Sequence, residues 1–145
     1  MGHDVKYGGE VKFKKKPTPE LINFINSAVR DKYEFDDKYE YRNYAYFAGL
    51  NKNQDGLIAA TEEKMYSDYM TNVLNMYAEI IKRDYDNDFV PNTFFIAASE
   101  YGFDCEDTCI IMYIKGKFCI IDLFKYVNLI SGCFNIDALY EDNLL

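Results

Sequence analysis

The chain has 145 residues, with 16 Lys and Arg against 24 Asp and Glu, a formal net charge of -8 and 49% hydrophobic residues. That composition suits one globular domain with a sizeable core and excludes collagenous or disordered chains. The negative charge argues against a nucleic-acid partner, since binding phosphates needs positive charge.

Residues 1-16 carry five Lys against Asp4 and Glu10, and read as a basic N-terminal segment ahead of a single domain over 17-145. Within it, Val11-Lys12-Phe13-Lys14 alternates weakly and predicts a short edge strand. The first helix is clearer. Thr18 caps, Pro19 suits the first helical position, Glu20 favours the positive end of the dipole, and Leu21, Ile22, Ile25, Ala28 and Val29 form an apolar stripe to about residue 32. From Tyr39 to Leu50 the aromatic pattern predicts a strand. Asn51 to Gly56 is a turn by composition, and Leu57 to Ala60 a second short strand, so the pair reads as an antiparallel hairpin.

A long helix is expected from a Thr61 cap to about Arg83, with Tyr66, Tyr69, Met70, Val73, Leu74, Tyr77, Ile80 and Ile81 on one broad face. Residues 84-107 then hold seven acids and no base. Strands are expected at Thr93 to Ala98, Ile110 to Ile114 and Phe118 to Leu123, the last two joined by a tight Lys115-Gly116 hairpin. A short helix from Leu123 to Ile130 follows, stopped by Gly132. The expected fold is α+β: a mostly antiparallel five-stranded sheet with helices packed on it, in the order helix, two strands, helix, three strands, helix.

Few residues offer chemistry. Cys105, Cys109, Cys119 and Cys133 lie in the last third, mostly beside apolar residues, which favours reduced structural thiols and a cytoplasmic chain over disulfides. Cys105 and Cys109, with Glu106 and Asp107 between them, have a spacing that zinc tolerates, but no second pair completes the set. The single histidine, His3, leaves no base for a cysteine or serine nucleophile. Asp84, Asp86 and Asp88 alternate, so an extended chain would aim them one way and could chelate a divalent cation; the Gly and terminal Glu of a calcium loop are missing. Gly8-Gly9 is too short for a phosphate loop, and Lys6 breaks the myristoylation pattern that Gly2 begins. No secretory signal and no membrane-length apolar run is present. No cofactor is expected.

The 14 Tyr and 11 Phe, with no Trp, are the informative excess. Tyr41, Tyr44, Tyr66, Tyr69 and Tyr77 suit a partner surface, because tyrosine is amphipathic and interfaces enrich it. The competing reading is a genome rich in A and T, which raises Tyr and Phe without selection for function.

The stretch from Tyr44 to Arg83, with Asp55-Gly56 before a short strand and a long helix, resembles the roadblock/LC7 arrangement, a relative of profilin-like and longin folds. The resemblance implies dimerisation and a scaffold or small-GTPase-associated role. Phe94 to Asp122 also resembles, more faintly, the core of SMI1/KNR4-type immunity proteins, without their tryptophan-containing elements. The resulting expectation is a non-enzymatic interaction module or adaptor binding a protein partner, itself included, as a homodimer. One alternative is an acidic inhibitor that meets a basic partner through a patch of Asp84, Asp86, Asp88, Glu106 and Asp107. Another is a metal-dependent enzyme using acidic side chains.

Overall fold

The computed structural model describes residues 4-60, 65-102 and 105-122. Strand β1 (Val5–Lys12) comes first, then α1 (Pro19–Val29), a 3-10 segment (Arg42–Phe47), β2 (Ala48–Leu50), β3 (Gly56–Ala59), α2 (Ser67–Tyr85), β4 (Phe94–Ser99), β5 (Cys109–Ile114) and β6 (Lys117–Asp122). The fold is α+β, with helices on an antiparallel sheet. Among the described residues that sheet has six strands rather than five, in the order β2-β3-β1-β4-β5-β6.

The added strand is β1, and it is not at an edge. It pairs antiparallel with β4 from Val5 opposite Ser99 to Glu10 opposite Phe94, and with β3 at Val11 opposite Leu57 and Lys12 opposite Gly56. Gly9 sits where the strand passes from one partner towards the other. Its φ is +84°, and a Cβ there would lie 2.8 Å from the Phe94 carbonyl oxygen. Glycine is required on both counts: the left-handed backbone and the close approach of another main chain. Beyond the strand the pairing continues, with Lys14 N donating to Asp88 O at 2.8 Å and Phe13 N to Asp55 O at 2.9 Å.

The 39-50 region differs most from a strand. Its rings cannot all lie on two faces of one strand and still find cover. Two 3-10 turns instead meet at a kink at Tyr44, which buries Ala45 and Phe47 and leaves only Ala48–Leu50 as strand. Arg42 fixes the turn by donating to the Asp37 and Tyr39 carbonyls. The β2–β3 hairpin is antiparallel as expected, closed by Asn51, whose Oδ1 accepts from Asp55 N and Gly56 N. The β5–β6 hairpin turns through Lys115 and Gly116, both at positive φ, the two-residue turn that matches strand twist.

Helix α1 is capped by Thr18 as its sequence requires, Oγ1 accepting from Leu21 N. Helix α2 starts at Ser67, later than a Thr61 cap would have it; Thr61 lies outside the described residues, as does the helix expected over 123-130. Leu21, Phe24 and Ile25 of α1, Met70, Leu74 and Tyr77 of α2, and Phe95, Ile111, Tyr113 and Phe118 of the inner face of the sheet are all buried in one core. Among the described residues, no helix is long and apolar enough to cross a membrane.

Replacing Gly9 by Ala forces a side chain into the Phe94 carbonyl and a strained φ. It should cost about 1–3 kcal/mol, measured as a shift of the urea unfolding midpoint at unchanged slope. A midpoint equal to that of the wild type would show that the bend in β1 does not need glycine.

Candidate interaction surface

Four of the five tyrosines expected at a surface come together. The kinked 3-10 segment brings Tyr41 and Tyr44 over the first turn of α2, which carries Tyr69 one turn after Tyr66. Ring centroids stand 5.2 Å apart for Tyr41–Tyr69, 5.4 Å for Tyr44–Tyr69 and 5.6 Å for Tyr66–Tyr69, with Tyr41–Tyr44 at 6.2 Å. Such spacings are those of attractive ring pairs. All four are half-buried, and Phe47 anchors the cluster from beneath at 5.3 Å from Tyr44, with the exposed Tyr46 against it at 5.1 Å. Partial burial pushes the Tyr41 phenol above its ordinary value, and Glu40 and Asp68 add to the shift. The cluster is therefore neutral, aromatic and bordered by acids.

Tyr77 does not belong to it. It is fully buried, donates to Ala45 O at 2.9 Å and packs edge-on against Phe24 at 5.8 Å. Its place three turns into α2, on the buried stripe against Phe24, Phe35 and Ala45, makes it core.

The acidic residues do not form one patch. Asp84 ends α2 rather than starting an extended segment, and both its oxygens accept from the Arg83 guanidinium at 2.9 and 3.0 Å. Asp86 takes the left-handed position after the helix and pairs with Lys15 at 3.1 Å. Asp88 accepts from the Tyr113 hydroxyl and from Phe89 N. Alternation fails as a guide because the helix runs two residues into the Asp84–Asp88 stretch. Glu106 is exposed, whereas Asp107 is buried at 5% exposure. Among the described residues, no group of three His, Cys, Asp or Glu is placed to hold a metal ion.

Asp107 has a structural task that its spacing hides. Its Oδ1 accepts from both the backbone N and the Oγ of Ser67 at 2.7 Å. A carboxylate there satisfies an N–H that the helix cannot, and meets the positive end of the α2 dipole. Tyr7 lies beneath the same helix end and donates to Met65 O. Burial raises its phenol well above the usual range, with Cys109 and Asp107 adding to the effect. Cys109 is fully buried, and loss of solvation pushes its thiol up to about 11, the opposite of an activated nucleophile. Cys109 and Cys119 are free thiols.

The chain matches no family model, no curated protein and no solved structure.

Two outcomes follow. Asp107→Ala leaves the first turn of α2 without its acceptor and should lower stability by about 1.5–3 kcal/mol, with Asp107→Asn recovering part of the loss through its carbonyl oxygen; urea unfolding monitored by helical circular dichroism checks both. Stability should also fall in alkali. The phenols of Tyr7 and Tyr77 are raised by burial, so the folded chain holds protons that the unfolded chain releases near the ordinary phenol value of 10.0. Their contribution is complete below that value and is lost as pH rises above it towards the folded-state values. A phenolate absorbance titration should show a late class of tyrosines that ionises only with unfolding.

Proposed function

We propose that this chain is a non-enzymatic protein-interaction module, and that its partner seats on Tyr41, Tyr44, Tyr66 and Tyr69. The observation that supports the reading is their assembly into one continuous, half-exposed aromatic surface built from two separate elements. Rigid amphipathic rings lose little side-chain entropy on binding and offer both apolar area and a hydroxyl, which is why they recur as anchors in interfaces. A partner protein or a second copy of the chain fits this surface equally in chemistry. The acidic-inhibitor reading has less support, since Asp84, Asp86, Asp88 and Asp107 are each engaged within the chain. The free thiols of Cys109 and Cys119 suit a reducing cytoplasmic setting.

The test compares capture by the wild type with Tyr41→Ala, Tyr69→Ala and, as a charge control, Asp84→Asn with Asp86→Asn. Removing an anchor ring should weaken the captured partner by about 2 kcal/mol, or about thirtyfold, while the charge control binds as the wild type does. Circular dichroism shows that each variant is folded. Retained binding by both tyrosine variants would end the proposal, and loss in the charge control alone would favour the acidic reading. The same variants in sedimentation velocity tell a self-associating surface from one for another protein.

A further inference from the structure

The lysine-rich segment between β1 and α1 borders a cavity. Main-chain bonds fasten that segment: Phe13 N donates to Asp55 O at 2.9 Å, Lys14 N to Asp88 O at 2.8 Å and Lys15 N to the Asn87 side chain at 3.0 Å. Residues 13-17, Ile22 of α1 and turn residues 53-55 line a space of about 310 Å³, which falls within the range of small-molecule sites. Its apolar part is Phe13, which is buried, with Pro17 and Ile22, which are half-buried. Its polar part is exposed: Lys14 and Lys16 from the segment, Asn53 and Gln54 from the turn.

The charges around the cavity divide into paired and unpaired. Asp55, the carboxylate in the lining, accepts from Lys12 at 2.9 Å and from the Asn51 amide at 2.5 Å, and Lys15 pairs with Asp86 at 3.1 Å. Among the described residues no carboxylate pairs with Lys14 or Lys16, and no protein group bonds the side-chain amides of Asn53 and Gln54. An ammonium group only donates, and each amide adds two N–H groups. The lining therefore asks for negative charge and several acceptor oxygens. A carboxylate brings two oxygens and one charge; a phosphate monoester brings three terminal oxygens and about two charges near neutral pH. A bare phosphate ion would leave the apolar part uncovered. A nucleic acid is disfavoured by the net charge of -8, which repels a polyanion.

We propose that this cavity binds a phosphate monoester carried on an apolar or aromatic carbon body. Lys14 and Lys16 meet the phosphate oxygens as charge-assisted donors, the Asn53 and Gln54 amides complete the donor set, and Pro17 and Ile22 lie against the carbon body. None of these residues belongs to the tyrosine surface, so the site is additional to it.

The test titrates the full-length chain with phenyl phosphate, inorganic phosphate and phenylacetate by calorimetry at physiological ionic strength. Phenyl phosphate should bind about tenfold more tightly than either of the others. Lys14→Gln combined with Lys16→Gln should weaken it by about tenfold or more; both positions are exposed, and circular dichroism verifies folding. Lys117→Gln, on the strand at the far edge of the described sheet, should bind as the wild type does. A short peptide with a central phosphotyrosine separates the two sources of such a group. Binding about tenfold tighter than phenyl phosphate assigns the site to a phosphorylated side chain of a partner, and equal or weaker binding assigns it to a free phosphate ester. Three results would overturn the proposal. No binding of phenyl phosphate means that the cavity takes no phosphate ester. Equal affinity for phenyl phosphate and phenylacetate means that the site does not select phosphate. Unchanged affinity in the folded double lysine variant means that the anion binds elsewhere. None of the three touches the tyrosine surface, whose test uses other residues.

Discussion

Strand β1 hydrogen-bonds to β4 along residues 5-10 and to β3 at residues 11-12, and only a backbone free of side-chain constraint at residue 9 lets it serve both. The β2–β3 hairpin and the β4–β5–β6 meander have no other strand between them. With β1 in place, the inner rows of both halves align into one surface broad enough for α1 and α2. The helical layer, the buried rings and the tyrosine cluster above them all rest on that continuity.

Around this frame, main-chain groups that no strand or helix satisfies are met by side-chain amides. Asn87 accepts from Lys15 N and donates to Lys15 O, both at 3.0 Å, fastening the segment after β1. Asn75 does the same for Phe118 on the edge strand, at 2.8 and 3.1 Å. Asn51 closes the β2–β3 turn and reaches across to Glu10 at 2.8 Å. There Lys12 lies 2.9 Å from both Glu10 and Asp55. Bonds from Asn51 and Lys12 hold both carboxyls below their ordinary range. A paired amide presents one donor and one acceptor at the spacing of a strand, which is what an unpaired main-chain residue lacks. Among the described residues no buried side-chain nitrogen or oxygen is left without a partner.

Local signals were legible in the sequence where one residue decides the geometry: the Thr18-Pro19 start of α1, the Lys115-Gly116 turn, and the long apolar stripe of α2. Signals that depend on distant residues were not. β1 reads as a basic segment because its outer face is Lys6, Gly8 and Glu10, and Gly9 interrupts the alternating inner series of Val5, Tyr7 and Val11. An order that begins with α1 therefore omits the strand that joins the sheet. Asp107 reads as one acid among seven because its partner, Ser67, is 40 residues away. Tyr77 and Tyr69 look alike by composition, and only their positions around α2 separate a core ring from a surface ring.

The bond between Asp107 and Ser67 also constrains the order in which the molecule assembles. A ribosome has made the whole of α2 before the residue that caps it exists, and β1 must wait for residues 94-99 before its longer pairing can form. Strand β1 and the first turn of α2 are thus completed by residues that come later in the sequence. Loop closures of this length are slow and give no partial reward. These native contacts therefore cannot form before the residues of β4 and Asp107 have been made.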